Sequence, residues 1–93
     1  MTGPKTITAS AILQNKVGLH ARPAALFVQT AKKFQSTIRV RKDLKEGDAK
    51  SILDVLSLGA EHGTSITLIV EGEDAEMAAK ALVDLINGKF GED

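Results

Sequence analysis

Few side chains in this sequence have the type and spacing to do chemistry: His20 and Arg22 within VGLHARPAA (residues 17–25), Ser51 at the head of SILDVLSLG (51–59), and His62 in AEHGTS (60–65). Imidazole is largely neutral near pH 7, is nucleophilic in that state and forms a labile bond to phosphorus. His20 stands just ahead of a helical pattern, where unpaired backbone N–H groups and the positive end of the helix dipole favour an anion. Arg22 adds a guanidinium that can pair with anionic oxygens. From its position alone, His20 stays open between a solvated residue, a helix cap and a nucleophile. His62 has no such context and reads as a solvated loop residue. Two histidines far apart, no clustered carboxylates and no cysteine offer no metal site, no disulfide framework and no thiol nucleophile.

The elements that must position these residues follow from periodicity. Residues 6–13 alternate Ile7, Ala9, Ala11 and Leu13 against Thr6, Thr8, Ser10 and Ile12, the period of a strand. Residues 21–34 place Ala24, Phe27, Ala31 and Phe34 on one helical face, with Pro23 in the first turn, where its missing N–H costs nothing. TIRVRK (37–42) alternates Ile38 and Val40 with Arg39 and Arg41, a half-buried strand with a basic outer face. A turn pivoting on Gly47 and a short strand around 48–50 come next. Residues 51–59 predict a short helix with Ser51 as N-cap, Asp54 completing a capping box and Gly59 closing it. Ile52, Leu53, Val55, Leu56 and Leu58 make this helix apolar on too many sides for all of them to be buried. TSITLIVEG (64–72) predicts a strand, and from Asp74, an N-cap, a helix carries Ala78, Leu82 and Leu85 on one face. The order β-α-β-β-α-β-α suits an α+β fold, with three helices on one face of a small antiparallel sheet.

Composition narrows the function. With 93 residues, 43% of them hydrophobic, the chain suits one domain spanning 1–93, with 1–5 and 89–93 as frayed tails. Twelve basic residues balance twelve acidic ones, so no overall field draws the protein to nucleic acid or an anionic membrane. No apolar run approaches the roughly 18 residues of a membrane span, and MTGPKTITAS lacks the apolar stretch of a secretory signal. Together with the missing cysteines, this gives a cytoplasmic expectation.

The motifs GLHARPA (18–24), VQTAKKF (28–34), KSILDVLSLG (50–59) and VEGEDAEMAAKAL (70–82), with the spacing between His20 and Ser51, resemble HPr, the histidine phosphocarrier family of the bacterial phosphoenolpyruvate-dependent sugar phosphotransferase system. The likeness runs nearly end to end. It implies an open-faced β-sandwich, a four-stranded antiparallel sheet in the order 1-4-2-3 under three helices. It implies a carrier that is not itself an enzyme. His20 would take a phosphoryl group from enzyme I, on Nδ1, and pass it to the IIA domains of sugar permeases, with Arg22 stabilising the transferring group. Ser51 matches a serine that, in low-GC Gram-positive members, a dedicated kinase phosphorylates in the service of catabolite control. A serine kinase/phosphorylase and a catabolite-control regulator are therefore further expected partners. Ala21, Pro23, Ile52, Leu53 and Leu56 match the surface on which partners dock. No cofactor, metal, nucleic acid or membrane insertion is expected, and the chain should be a monomer. Asp54 departs from the family, which commonly has a small residue there. Two alternatives are a carrier in a nitrogen- or carbon-control branch, and a small α+β binding module in which His20 is incidental.

Overall fold

Four period-two segments become strands because each has one apolar face to bury. The structure is a computed structural model describing residues 5–92; the expected fraying of 1–4 and of Asp93 lies outside that range. The elements are β1 (Lys5–Ile12), α1 (Ala21–Ala31), β2 (Thr37–Lys42), β3 (Lys45–Asp48), α2 (Ile52–Ser57), β4 (Ser65–Gly72), α3 (Ala75–Asn87) and a terminal 3₁₀ turn, Lys89–Gly91. The sheet is antiparallel in the order β1-β4-β2-β3. Ile38, Val40, Ile66, Leu68 and Val70 are fully buried on its inner face, each contributing about 1.5–3 kcal/mol. Thr6, Thr8, Ser10 and Ile12 of β1 are exposed. The helices lie on the inner side: α3 packs on β1 and β4, and α1 contacts both α2 and α3. No helix among the described residues is long and apolar enough to cross a membrane.

Several expectations change. The third strand is Lys45–Asp48, not a segment around 48–50, and Gly47 is not the pivot. The chain reverses at Asp43 (φ 55°) and Leu44, so pairing resumes at once as Lys42 meets Lys45. Glu46 then bridges Arg39 (2.9 Å) and Arg41 (3.2 Å), which hold its carboxyl below the usual range. This polar strand forms because β2 offers it an open edge, not because it has an apolar face of its own. Helix α1 stops at Ala31; the next turn tightens into i→i+3 bonds, Lys33 N–H to Thr30 O and Phe34 N–H to Ala31 O, leaving Phe34 half-buried. On α3, Leu85 is half-buried and Ile86 takes the core position.

Neither end is frayed where it is described. Lys5 pairs with Gly72, and Phe90 is buried at 3% exposure even though Lys89 and Phe90 both hold φ near 56°. Burial of the aromatic ring offsets the left-handed backbone, which a non-glycine residue disfavours. Asp74 does occupy the N-cap position of α3, but its carboxylate does not cap that helix. It accepts from the N–H groups of Gln35 (2.8 Å) and Ser36 (3.0 Å) and from the Ser36 hydroxyl, fastening the α1–β2 loop to the start of α3. These bonds hold its carboxyl below the ordinary value.

Candidate functional site

The site is built where the chain leaves β1 and enters α1. Asn15, wholly buried, donates its side-chain amide to Gly18 O (2.9 Å). Gly18 has φ +61°, and a Cβ there would fall 2.5 Å from Ala60 O, so both the conformation and the close approach require glycine. Leu19, buried at 2%, donates its N–H to Ala60 O at 2.9 Å. The backbone around His20 is thereby pinned on one side to the loop that follows α2.

His20 is the N-cap residue of α1, with extended backbone (φ −94°, ψ −169°) and a carbonyl that accepts the Ala24 N–H at 2.7 Å. Its side chain makes no capping bond and is exposed, which leaves the ring free to react. The N–H groups of Ala21 and Arg22 are first-turn donors without an intrahelical acceptor, and no acidic side chain sits in that turn to compete for them. Arg22 is exposed and makes no salt bridge among the described residues. Imidazole, guanidinium and first-turn amides together could hold a phosphoryl group at the helix start. Pro23, expected on the docking surface, is instead buried. It sets the first turn and presents little surface of its own.

Ser51 caps α2 as expected, its Oγ accepting from Asp54 N–H at 3.2 Å. The reciprocal half of the capping box does not form: Asp54 turns its carboxylate to the N–H of Asp48 (2.9 Å). Its Cβ also packs where only glycine fits at 47, since a Cβ there would approach to 2.8 Å. Helix α2 runs antiparallel to α1. At its start, Lys50 Nζ reaches Phe34 O (2.7 Å) beyond the far end of α1, and at its end Ala60 meets Leu19 beside His20. Ser51 and His20 therefore stand at opposite ends of an 11-residue helix, about 16 Å long at 1.5 Å per residue. Between them Val55 is buried, while Ile52, Leu53 and Leu56 are 39%, 73% and 42% exposed, an apolar strip of the kind partners dock on. Ala21 is exposed at the His20 end.

His62 is exposed but not simply solvated: its Nδ1 lies 3.2 Å from Asn15 O. Neither this bond nor the buried Asn15 has a local sequence signature, because the partners lie 47 residues apart. A polar depression of about 440 Å³ lined by Gln35, Ser36, Gly72, Glu73 and Asp74 includes none of the residues at the His20 site.

A family model described as the PTS HPr component phosphorylation site matches residues 7–88. The chain is 45% identical over 82 residues to the phosphocarrier protein HPr of Xylella fastidiosa, covering 88% of this chain and 92% of that one. It is 52% identical over 71 residues to the HPr-like protein Crh of Halalkalibacterium halodurans, covering 76% and 84%. The crystal structure of HPr-C-His from Thermoanaerobacter tengcongensis superposes with a TM-score of 0.91 at 56% identity, covering 94% of this chain and 98% of that one. Fold and likeness define a phosphoryl carrier rather than an enzyme. The chain belongs to the HPr family of phosphocarrier proteins of the phosphotransferase system.

Proposed function

We propose that His20 receives a phosphoryl group from enzyme I and delivers it to IIA domains of sugar permeases. The observation that carries this reading is the His20 ring: exposed, at an N-cap, and making no capping bond. In acceptance, a ring nitrogen attacks phosphorus in line, the N–P bond forms as the bond to the donor breaks, and the incoming charge meets the first-turn amides and Arg22. Delivery reverses these steps on the acceptor. Ala21 and the strip Ile52, Leu53 and Leu56 form the docking surface, so one face serves donor and acceptor in turn. Phosphorylation of Ser51 by a serine kinase would then act through docking and not by contact, since the two sites lie a helix length apart.

A regulatory role under a catabolite-control partner is the second reading, favoured by the identity to an HPr-like protein Crh. Incubation with enzyme I and phosphoenolpyruvate, followed by intact mass, should show one acid-labile, hydroxylamine-sensitive phosphate, absent from a folded His20→Ala variant. Wild-type phosphate on that variant would end the carrier reading of His20.

A further inference from the structure

The loop bearing His62 is the wall against which the His20 loop is built. The two are clamped at one end by Leu13 N–H to Thr64 O (2.9 Å) and Gly63 N–H to Leu13 O (2.7 Å), and at the other by Leu19 N–H to Ala60 O (2.9 Å). Between the clamps the chain turns at Asn15, whose carbonyl takes only a long bond from Gly18 N–H (3.3 Å). The side-chain hydrogen bond that crosses from one loop to the other here comes from His62, Nδ1 to Asn15 O at 3.2 Å. A carbonyl can only accept, so Nδ1 carries the hydrogen.

We propose that His62 is a positioning residue for His20. By holding the Asn15 carbonyl it adds the cross-loop tie to a turn 15–18 that the Asn15 side chain closes on Gly18 O, and so sharpens the direction in which the His20 ring leaves the start of α1. The proposal rests on the reading of His20 as phosphoryl acceptor. Without the bond, the clamps at Leu13 and Leu19 and the Asn15 side chain on Gly18 O (2.9 Å) keep the fold, while the Asn15 carbonyl loses its tie to the facing loop and the segment leading into His20 is held less tightly. In-line transfer needs reacting atoms held about 3–3.5 Å apart and aligned, so loosened aim slows the step. The apolar strip on α2 is untouched, so docking is unchanged.

The test uses the full chain with enzyme I and phosphoenolpyruvate, comparing His62→Phe, which keeps a ring without a donor, with His62→Gln, which restores an amide donor. His62→Phe should lower kcat for phosphoryl acceptance about tenfold at unchanged KM, and His62→Gln should recover most of it. In the unphosphorylated protein, the imidazole ¹⁵N–¹H signals of His20 should move in His62→Phe and return in His62→Gln. Unmoved His20 signals in His62→Phe overturn the proposal, as does a rate loss that follows melting temperature and is not rescued by glutamine. If wild type itself takes no phosphate, the acceptor reading of His20 fails, and the ring signals alone decide whether His62 positions His20.

Discussion

Replacing Ser51 by aspartate sets a fixed negative charge at the start of α2, and its effect on stability turns on Asp54. Aspartate is as good an N-cap as serine, so the bond from Asp54 N–H is retained and the change is one of charge. Attraction to the helix start is worth about 0.3–1 kcal/mol. Against it stands the Asp54 carboxylate, three residues along, where side chains on a helix are about 6 Å apart; two unit charges at that range in water repel by ~0.7 kcal/mol. The two effects nearly cancel, so Ser51→Asp should hardly change the melting temperature of the wild type.

The structure also selects the comparison background. Asp54→Gly would remove the acceptor for Asp48 N–H and the contact with Gly47, and would place a glycine in a helix at a further cost of about 0.3 kcal/mol relative to aspartate. Asp54→Asn keeps the acceptor and the packing and removes only the charge. In the Asp54→Asn background, Ser51→Asp should raise the melting temperature about 3–5 °C more than in wild type at low salt, since 1 kcal/mol moves a chain of this size by about 4–8 °C. At physiological ionic strength, where the Debye length is about 8 Å, the difference should roughly halve. A phosphate on Ser51, with its charge of about −1.5 to −2, should show the same coupling enlarged. Thermal melts of the four proteins decide it: equal shifts in the two backgrounds would mean that Asp54 does not sense residue 51.

Other measurements check the remaining readings. Arg22→Ala should slow phosphoryl acceptance by tens to thousands of fold, as expected for losing about 2–4 kcal/mol of charge stabilisation; wild-type rates in quench-flow would make Arg22 a surface charge only. Leu53→Glu should weaken binding to enzyme I by tenfold or more in titration calorimetry while changing stability by less than about 0.5 kcal/mol, because Leu53 is 73% exposed. Asp74 has its carboxyl held below the ordinary 3.8, chiefly by the Ser36 hydroxyl and then by Gln35 N–H, so its contribution is present above that value and lost as pH falls through the lower, folded one. Urea titrations should therefore show Asp74→Asn less stable than wild type at pH 5–7, with the gap closing as pH falls below 3.8; a gap independent of pH would refute the assignment.

What could be read from the sequence is what short windows of chain decide. Alternation in TIRVRK and SITLIVEG, the 3.6 period that buries Ala24, Phe27 and Ala31, and the bond of Ser51 to Asp54 N–H all depend on neighbours within a few residues, where backbone geometry leaves few alternatives. The motif around His20 was legible for the same reason: glycine, histidine, arginine and proline lie within six residues and share one turn. The sheet order agreed with the family likeness, but periodicity could not supply it. The tertiary structure alone decided where several other polar side chains went. Asp54 and Asp74 both sit at helix starts, where local rules offer a carboxylate the helix's own N–H groups, yet one bonds to β3 and the other to a loop 38 and 39 residues away. The strand Lys45–Asp48 has no apolar face and exists because the edge of β2 was open. Pro23 is buried because α1 lays that side on the core, and His62 found Asn15 only when the two loops were brought together. A hydrogen bond is as favourable to a distant partner as to a near one, so once folding has met the entropy of closing the loop, nothing in the local sequence marks which partner is taken.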